Sequence, residues 1–214
     1  MKAAQRSRKE PGKVVIISSP SGGGKTSICR KLLSPARKKA GWKFSVSYTT
    51  RKPRVGERNG REYFFVSDKE FVSLQRQGFF AENFKVHMYK YGTPRAPIDN
   101  VRRRGGVMVF DLDVQGARRL HKEYPDAVAI FVLPPSITEL KKRLRKRGTE
   151  TPEQLAVRFE NAKAEMKSFR EYDFDYVVVN QELDEAVKQV LAVVEAHDCR
   201  IEYVDRQRLR SIIG

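Results

Sequence analysis

The sequence predicts an α/β sandwich in which a central, mainly parallel sheet lies between layers of helices. Three observations carry that expectation. Short apolar runs rich in β-branched residues, at about 14–18, 106–111, 127–133 and 175–179, alternate with longer helical stretches. The first run feeds directly into a glycine loop that opens a helix. Between about 44 and 93 the alternation breaks into a stretch rich in aromatics, Thr, Gly and Arg, which reads as an inserted lobe of mixed strands.

Residues 1–13 are polar and basic and form a tail ahead of the strand Val14-Val15-Ile16-Ile17. Ser19-Pro-Ser-Gly-Gly-Gly-Lys-Thr26 follows. Consecutive glycines let the backbone turn its N–H groups inward around phosphate oxygens at the start of a helix. In such a loop Lys25 reaches the β- and γ-phosphates and the Thr26 hydroxyl sits on Mg2+. Ser19 stands where the G-x-x-x-x-G-K-[ST] pattern has its first glycine, while Gly24, Lys25 and Thr26 are in register. Ser21, Gly22, Gly23, Gly24, Lys25, Thr26 and Ser27 are therefore the candidates for binding ATP, and the expected class is a P-loop NTPase three-layer sandwich. A single helix is expected over about 25–38.

Further along, helices are expected at about 95–104, 114–123, 136–146, 152–169 and 183–197. Val107-Met-Val-Phe-Asp111 places Asp111 at the carboxyl end of a buried strand, the edge where open α/β sheets bind ligands and where an acidic residue helps hold the Mg2+ shell. Asp113 faces the same side if that strand continues. Thr151 caps the helix that starts at Pro152.

Composition bounds the rest. With 214 residues and 40% hydrophobic content the chain builds one sizeable folded core. No stretch approaches the ~20 apolar residues of a bilayer span, so secretion and membrane insertion are not expected. Cys29 and Cys199 have no metal-binding spacing, and a reducing, cytoplasmic setting is expected. The formal charge of +17 raises a nucleic-acid role, but the basic residues lie in tails and in helical runs such as Arg102-Arg103-Arg104. Without aromatic interleaving or a recognition helix, nucleic acid is not an expected partner.

Ser45-Val-Ser-Tyr-Thr-Thr-Arg-Lys-Pro-Arg-Val-Gly-Glu-Arg-Asn-Gly-Arg-Glu-Tyr63 makes the reading specific. Arg51 and Arg54, spaced around Pro53, offer two forked guanidinium groups to one phosphate dianion, with Tyr63 adding a neutral donor. This segment resembles the monophosphate-binding lobe of guanylate kinases. With the phosphate loop, Phe110-Asp-Leu-Asp-Val-Gln-Gly116 and the Arg147-Gly-Thr-Glu-Thr151 turn, the resemblance runs from residue 14 to about 198. It implies a core at 14–44, 94–135 and 172–198, a GMP-binding lobe at 45–93, a helical lid at 136–171, and a basic extension at 199–214. The activity it implies is reversible, Mg-dependent transfer of the ATP γ-phosphoryl group to GMP, giving GDP and ADP.

The resemblance also implies residue roles. Ser47, Arg51, Arg54, Tyr63, Glu82, Tyr91, Gly92, Thr93, Asp111 and Asp113 bind GMP, with Glu82 accepting the guanine N–H groups and Thr93 serving O6. Lys25, Arg51, Arg54, Arg147 and Arg158 surround the transferring group, and Asn180 lies near the adenine. Met88-Tyr89-Lys90 departs from the Gly-Asn-Tyr often found in the family. Two alternatives stay open: a related kinase acting on another phosphorylated small molecule, and a non-catalytic scaffold module that grips phosphopeptides. The first is discriminated by Glu82 and Thr93. The second usually lacks the phosphate loop kept here. Monomer and homo-oligomer are both compatible with the sequence.

Overall fold

The computed structural model describes residues 12–86, 88–146, 151–168, 174–200 and 206–213. Arg147, nearly all of the N-terminal tail and part of the C-terminal extension lie outside them. Along the chain, β1 (Lys13–Ser18) leads into α1 (Lys25–Leu32), α2 (Pro35–Lys39) and β2 (Trp42–Phe44). β3 (Ser47–Thr49), β4 (Tyr63–Phe65), α3 (Asp68–Arg76), β5 (Phe80–Val86) and β6 (Tyr89–Pro94) come next. They are followed by α4 (Arg95–Arg103), β7 (Val107–Leu112), α5 (Val114–Glu123), β8 (Val128–Leu133), α6 (Ile137–Arg145), α7 (Pro152–Ser168), β9 (Tyr176–Val179), α8 (Leu183–Ala196) and α9 (Arg206–Ile213).

A five-stranded sheet in the order β2-β7-β1-β8-β9 forms the centre, and all its pairings are parallel. Alternation along β1 sends Val15 and Ile17 to one face, where they meet Ile28 and Leu32 of α1 and Val190 and Val194 of α8. Val14 and Ile16 go to the other, against Ile98 of α4 and Leu120 of α5. Both faces are covered, which is why the strands read as continuous apolar runs. Three layers result, as the sequence predicts.

Two local expectations change. The helix expected over 25–38 is broken, because Pro35 lacks an N–H and its ring clashes with the carbonyl four residues back. Ser34 caps the new start by accepting from Arg37 N at 3.3 Å, while Arg37 Nη1 donates back to the carbonyls of Lys31 and Leu32 at 3.2 and 3.3 Å. The strand carrying Asp111 ends at Leu112 rather than running on to Asp113. Asp113 instead caps α5, its Oδ1 accepting from Gly116 N at 2.7 Å. β2, a short edge strand, has no counterpart among the predicted strands.

The stretch between β2 and α4 builds a second, four-stranded sheet in the order β4-β3-β6-β5, with β3 and β4 parallel and the other pairings antiparallel. Its register sorts the side chains. Tyr48 and Phe64, paired across the strands, stack at 4.7 Å between ring centroids and join Phe79, Phe80 and Phe71 in an aromatic core on one face. Tyr63, Ser47, Thr93, Tyr91, Glu82 and Phe84 fall on the opposite face. α6 and α7 pack on each other through Leu140, Leu144, Leu155, Phe159 and Ala162.

Candidate active site

The glycine loop leaves the carboxyl end of β1, the middle strand of the parallel sheet. Gly24 caps α1 with φ +99°, a conformation that costs an L-residue with a Cβ about 1–2 kcal/mol. A Cβ there would also come within 2.2 Å of Asn180 Nδ2. The buried Asn180 side chain donates to the Gly23 carbonyl at 2.9 Å, so the end of β9 buttresses the loop from behind. Arg143 extends the buttress, accepted by the Asn180 carbonyl and by Glu139, each at 3.0 Å. Ser19 is buried, its hydroxyl turned back to the Pro20 carbonyl at 2.9 Å. Its Cβ occupies space that only a glycine at position 23 leaves open, 2.8 Å from where a Cβ would stand.

Asp111 closes the other side of the loop. It accepts from Thr26 Oγ1 at 2.6 Å and lies 3.5 Å from Lys25 Nζ. Helix α7 reaches the loop through Ser21. Thr151 and Gln154 cap its start reciprocally, each side chain accepting from the other's backbone N–H, at 3.3 and 3.1 Å. Arg158 Nε donates to Ser21 Oγ at 2.6 Å, and Ser21 N donates to Glu165 Oε2 at 3.2 Å. Burial pushes the Glu165 carboxyl up, against the pull of Ser21 and Lys25.

The polar face of the small sheet looks onto this edge. Lys25, Ser47, Tyr63, Glu82, Phe84, Tyr91, Asp111, Leu112 and Asp113 line a cavity of about 190 Å3. A larger cleft of about 790 Å3 adjoins it and shares Lys25, Ser47, Tyr63 and Asp111. Glu82 is buried, with Oε1 accepting from Thr93 Oγ1 at 2.5 Å and Ser47 Oγ 3.3 Å beyond that hydroxyl. Its Oε2 has no partner among the described residues. Burial first, and the Asp113 charge after it, push the Glu82 carboxyl up to about 7, against the Thr93 bond and the Arg119 charge. Tyr63 is pushed up to about 12 by burial and by Asp111.

Arg51 Nη2 donates to both Glu57 carboxylate oxygens at 2.9 Å, with its Cζ 5.6 Å from the Tyr63 ring and 5.7 Å from that of Phe65. Burial works against this charge, yet the Glu57 and Tyr91 partners outweigh it and the Arg51 pKa rises. Arg54 lies on the same loop with an exposed side chain, and its backbone N–H donates to Glu57 Oε2 at 2.8 Å.

The structure thus gathers Lys25, Thr26, Ser47, Tyr63, Glu82, Tyr91, Asp111 and Asp113 around two adjoining cavities, with Thr93 bonded to Glu82 and Arg158 to Ser21 of the glycine loop. Asn180 sits behind the loop rather than in it, and Ser27 is exposed on α1. Gly92 belongs to the aromatic face: Phe80 Cδ1 lies 2.8 Å from where its Cβ would be, so packing explains that glycine. The Met88-Tyr89-Lys90 departure falls at the β5–β6 turn, where Met88 is exposed and Lys90 pairs with Asp68 at 2.8 Å, away from the cavity lining. Arg143, Glu165 and Phe84 were not among the sequence candidates. Arg143 sits in a basic run that reads as a solvated helix face, and only the packing of α6 on the loop singles it out.

This arrangement is matched by known proteins. A family model described as guanylate kinase matches residues 11–197. The guanylate kinase of Myxococcus xanthus is 41% identical over 204 residues, covering 95% of this chain and 96% of that protein. That of Caldanaerobacter subterraneus subsp. tengcongensis is 40% identical over 194 residues, covering 91% and 92%. The crystal structure of guanylate kinase from Anaplasma phagocytophilum superposes with a TM-score of 0.72 at 29% identity, over 90% of this chain and 89% of that one. The family model and the relatives match along nearly the whole chain, and the chain belongs to the guanylate kinase family.

Proposed function

We infer that this protein transfers the γ-phosphoryl group of ATP to GMP, giving ADP and GDP. The observation that carries the acceptor assignment is Glu82: a buried carboxylate with one oxygen bonded to Thr93 and the other unpartnered, in the same cavity as Lys25 and Asp111. Guanine offers two adjacent N–H donors, at N1 and the 2-amino group, to such a carboxylate, and its O6 accepts from Thr93 once that hydroxyl's single hydrogen turns from Glu82 to the base. Adenine presents an acceptor at N1 and nothing to donate at C2, so it leaves Glu82 Oε2 buried without a hydrogen-bond donor. Penalties of this kind discriminate by several orders of magnitude.

The phosphate ends of both substrates then converge on Lys25. The loop N–H groups and Lys25 hold the donor phosphates, while Arg51, Arg54 and Tyr63 grip the acceptor phosphate. Arg51 is held by Glu57 beforehand, so little side-chain freedom is lost when phosphate binds. Arg158, already seated on Ser21, and Arg147 bring positive charge to the transferring oxygens. In phosphoryl transfer, positioning and charge stabilisation are nearly all the protein supplies.

The Thr26 hydroxyl and the Asp111 carboxylate, 2.6 Å apart, are hard oxygen donors of the kind that bind Mg2+, directly or through water. Bound there, Mg2+ neutralises phosphate charge. Product formation from ATP, Mg2+ and each of GMP, AMP, UMP and CMP tests the reading. Turnover with GMP and little with the other three is expected, and no turnover with GMP refutes it.

A further inference from the structure

We propose that Phe84 is the wall on which the acceptor base packs, supplying affinity for its ring, and that Arg119 is the positioning residue that holds Phe84. This rests on the GMP reading above and adds a contact to the face of the base, where Glu82 and Thr93 read only its edge.

The register of β5 and β6 pairs Glu82 with Thr93 and Phe84 with Tyr91. Residues two apart on a strand share a face, so Phe84 stands about 7 Å along the strand from Glu82, on the side lined by the cavity. The polar groups of that cavity suit the edge of a heterocycle. Its apolar lining, Phe84 with Leu112, suits the flat surface. A planar base bonded only at its edge leaves that surface in water, and an aromatic ring beside it removes the surface from water and adds stacking.

Phe84 is also held in place. Its ring stacks on Tyr91, with centroids 5.8 Å apart and planes at 21°. The first turn of α5 comes close to the ring edge, which Gly116 permits: a Cβ there would lie 3.2 Å from Phe84 Cε1 and Cζ. One turn further along α5, Arg119 places its guanidinium carbon 5.0 Å from the ring centroid. The same positive charge opposes Asp113 at Glu82 and eases its ionisation. Arg119 thereby serves both elements of base recognition, the face through Phe84 and the edge through Glu82.

Steady-state kinetics of the full-length protein test the wall, with inosine monophosphate, which lacks the 2-amino group, as a competitor. Phe84→Ala is expected to raise KM for GMP at least tenfold, about 1.4 kcal/mol, with kcat and KM for ATP within about twofold of wild type. The inhibition constant of inosine monophosphate is expected to rise by the same factor, because a face contact does not sense the 2-amino group. Phe84→Tyr restores wild-type values. Arg119→Ala raises KM for GMP about threefold and Arg119→Lys restores it. Should Phe84→Ala fail to melt cooperatively, Phe84→Leu decides, since it keeps apolar volume and removes the π-face. A folded Phe84→Ala, or Phe84→Leu in its place, with KM for GMP within twofold of wild type overturns the proposal. So does a rise for GMP without one for inosine monophosphate. Absence of GMP turnover in the wild-type protein is a different result and refutes the assigned reaction itself.

Discussion

Acidification from about pH 8 to about pH 6 is expected to lower kcat/KM for GMP about tenfold through one carboxyl group, Glu82. Its pKa rises from an ordinary 4.5 to about 7, first because burial strips water from the charge and then because Asp113 is near, with the Thr93 bond and the Arg119 charge pulling the other way. At 1.36 kcal/mol per pKa unit, the ionised form is disfavoured in the free protein by about 3 kcal/mol. Only that form accepts both guanine N–H groups. The ionised fraction falls from about nine-tenths to about one-tenth across this range, and kcat/KM, which reports the free enzyme, follows it.

Stability has the opposite slope. A carboxyl whose folded-state pKa is raised stabilises the fold fully below its unfolded value of 4.5, and that contribution is lost as pH rises through about 7. The assay is direct quantification of GDP at saturating ATP, for wild type and Glu82→Gln, with correction for the acceptor phosphate, whose own pKa near 6 adds about a twofold change at pH 6. Glu82→Gln is expected to be weakly active and to lack the corrected slope. A wild-type profile flat between pH 6 and 8 after correction refutes the reasoning, as does an unchanged slope in Glu82→Gln.

Other perturbations probe the phosphate-loop side. Gly24→Ala meets both φ +99° and Asn180 Nδ2 at 2.2 Å, and a rise of more than tenfold in KM for ATP is expected from an ATP titration. Asn180→Ala strands the Gly23 carbonyl, a loss of about 1–3 kcal/mol. Thermal unfolding is expected to show it as a drop of about 2–4 °C in Tm per kcal/mol. Arg158→Ala removes the α7 charge seated on Ser21, and kcat is expected to fall about a hundredfold with KM for GMP unchanged. Ser19→Gly deletes a side chain that turns back to Pro20, so kcat and KM for ATP within about twofold of wild type are expected.

Several site residues were legible because their chemistry is local. The phosphate loop declares itself through a strand, glycines of which two adopt positive φ, Gly22 and Gly24, and the Lys-Thr that follows. Asp111 declares itself as the residue that closes an apolar strand. Glu82 and Thr93 had no such signal: each is an ordinary polar residue until the β5–β6 register sets them opposite each other and burial gives their bond its weight. Asp113 reaches the cavity by a route that periodicity does not express, as a helix cap rather than a strand residue. Asn180, placed near the adenine by resemblance, also braces the loop, because the end of β9 comes against the Gly23 carbonyl, a contact the sequence does not signal.

What the sequence by itself determined is what short-range physics encodes. Apolar runs buried on both faces make a parallel sheet, and a glycine loop after a strand makes a phosphate cradle. The tertiary structure alone decided which distant groups meet. Helix α7 lands on Ser21, Arg143 braces Asn180, and the small sheet turns Glu82 and Phe84 toward Lys25. Those contacts join residues far apart in the chain, so their energies depend on register, burial and neighbouring charge, which no local pattern carries.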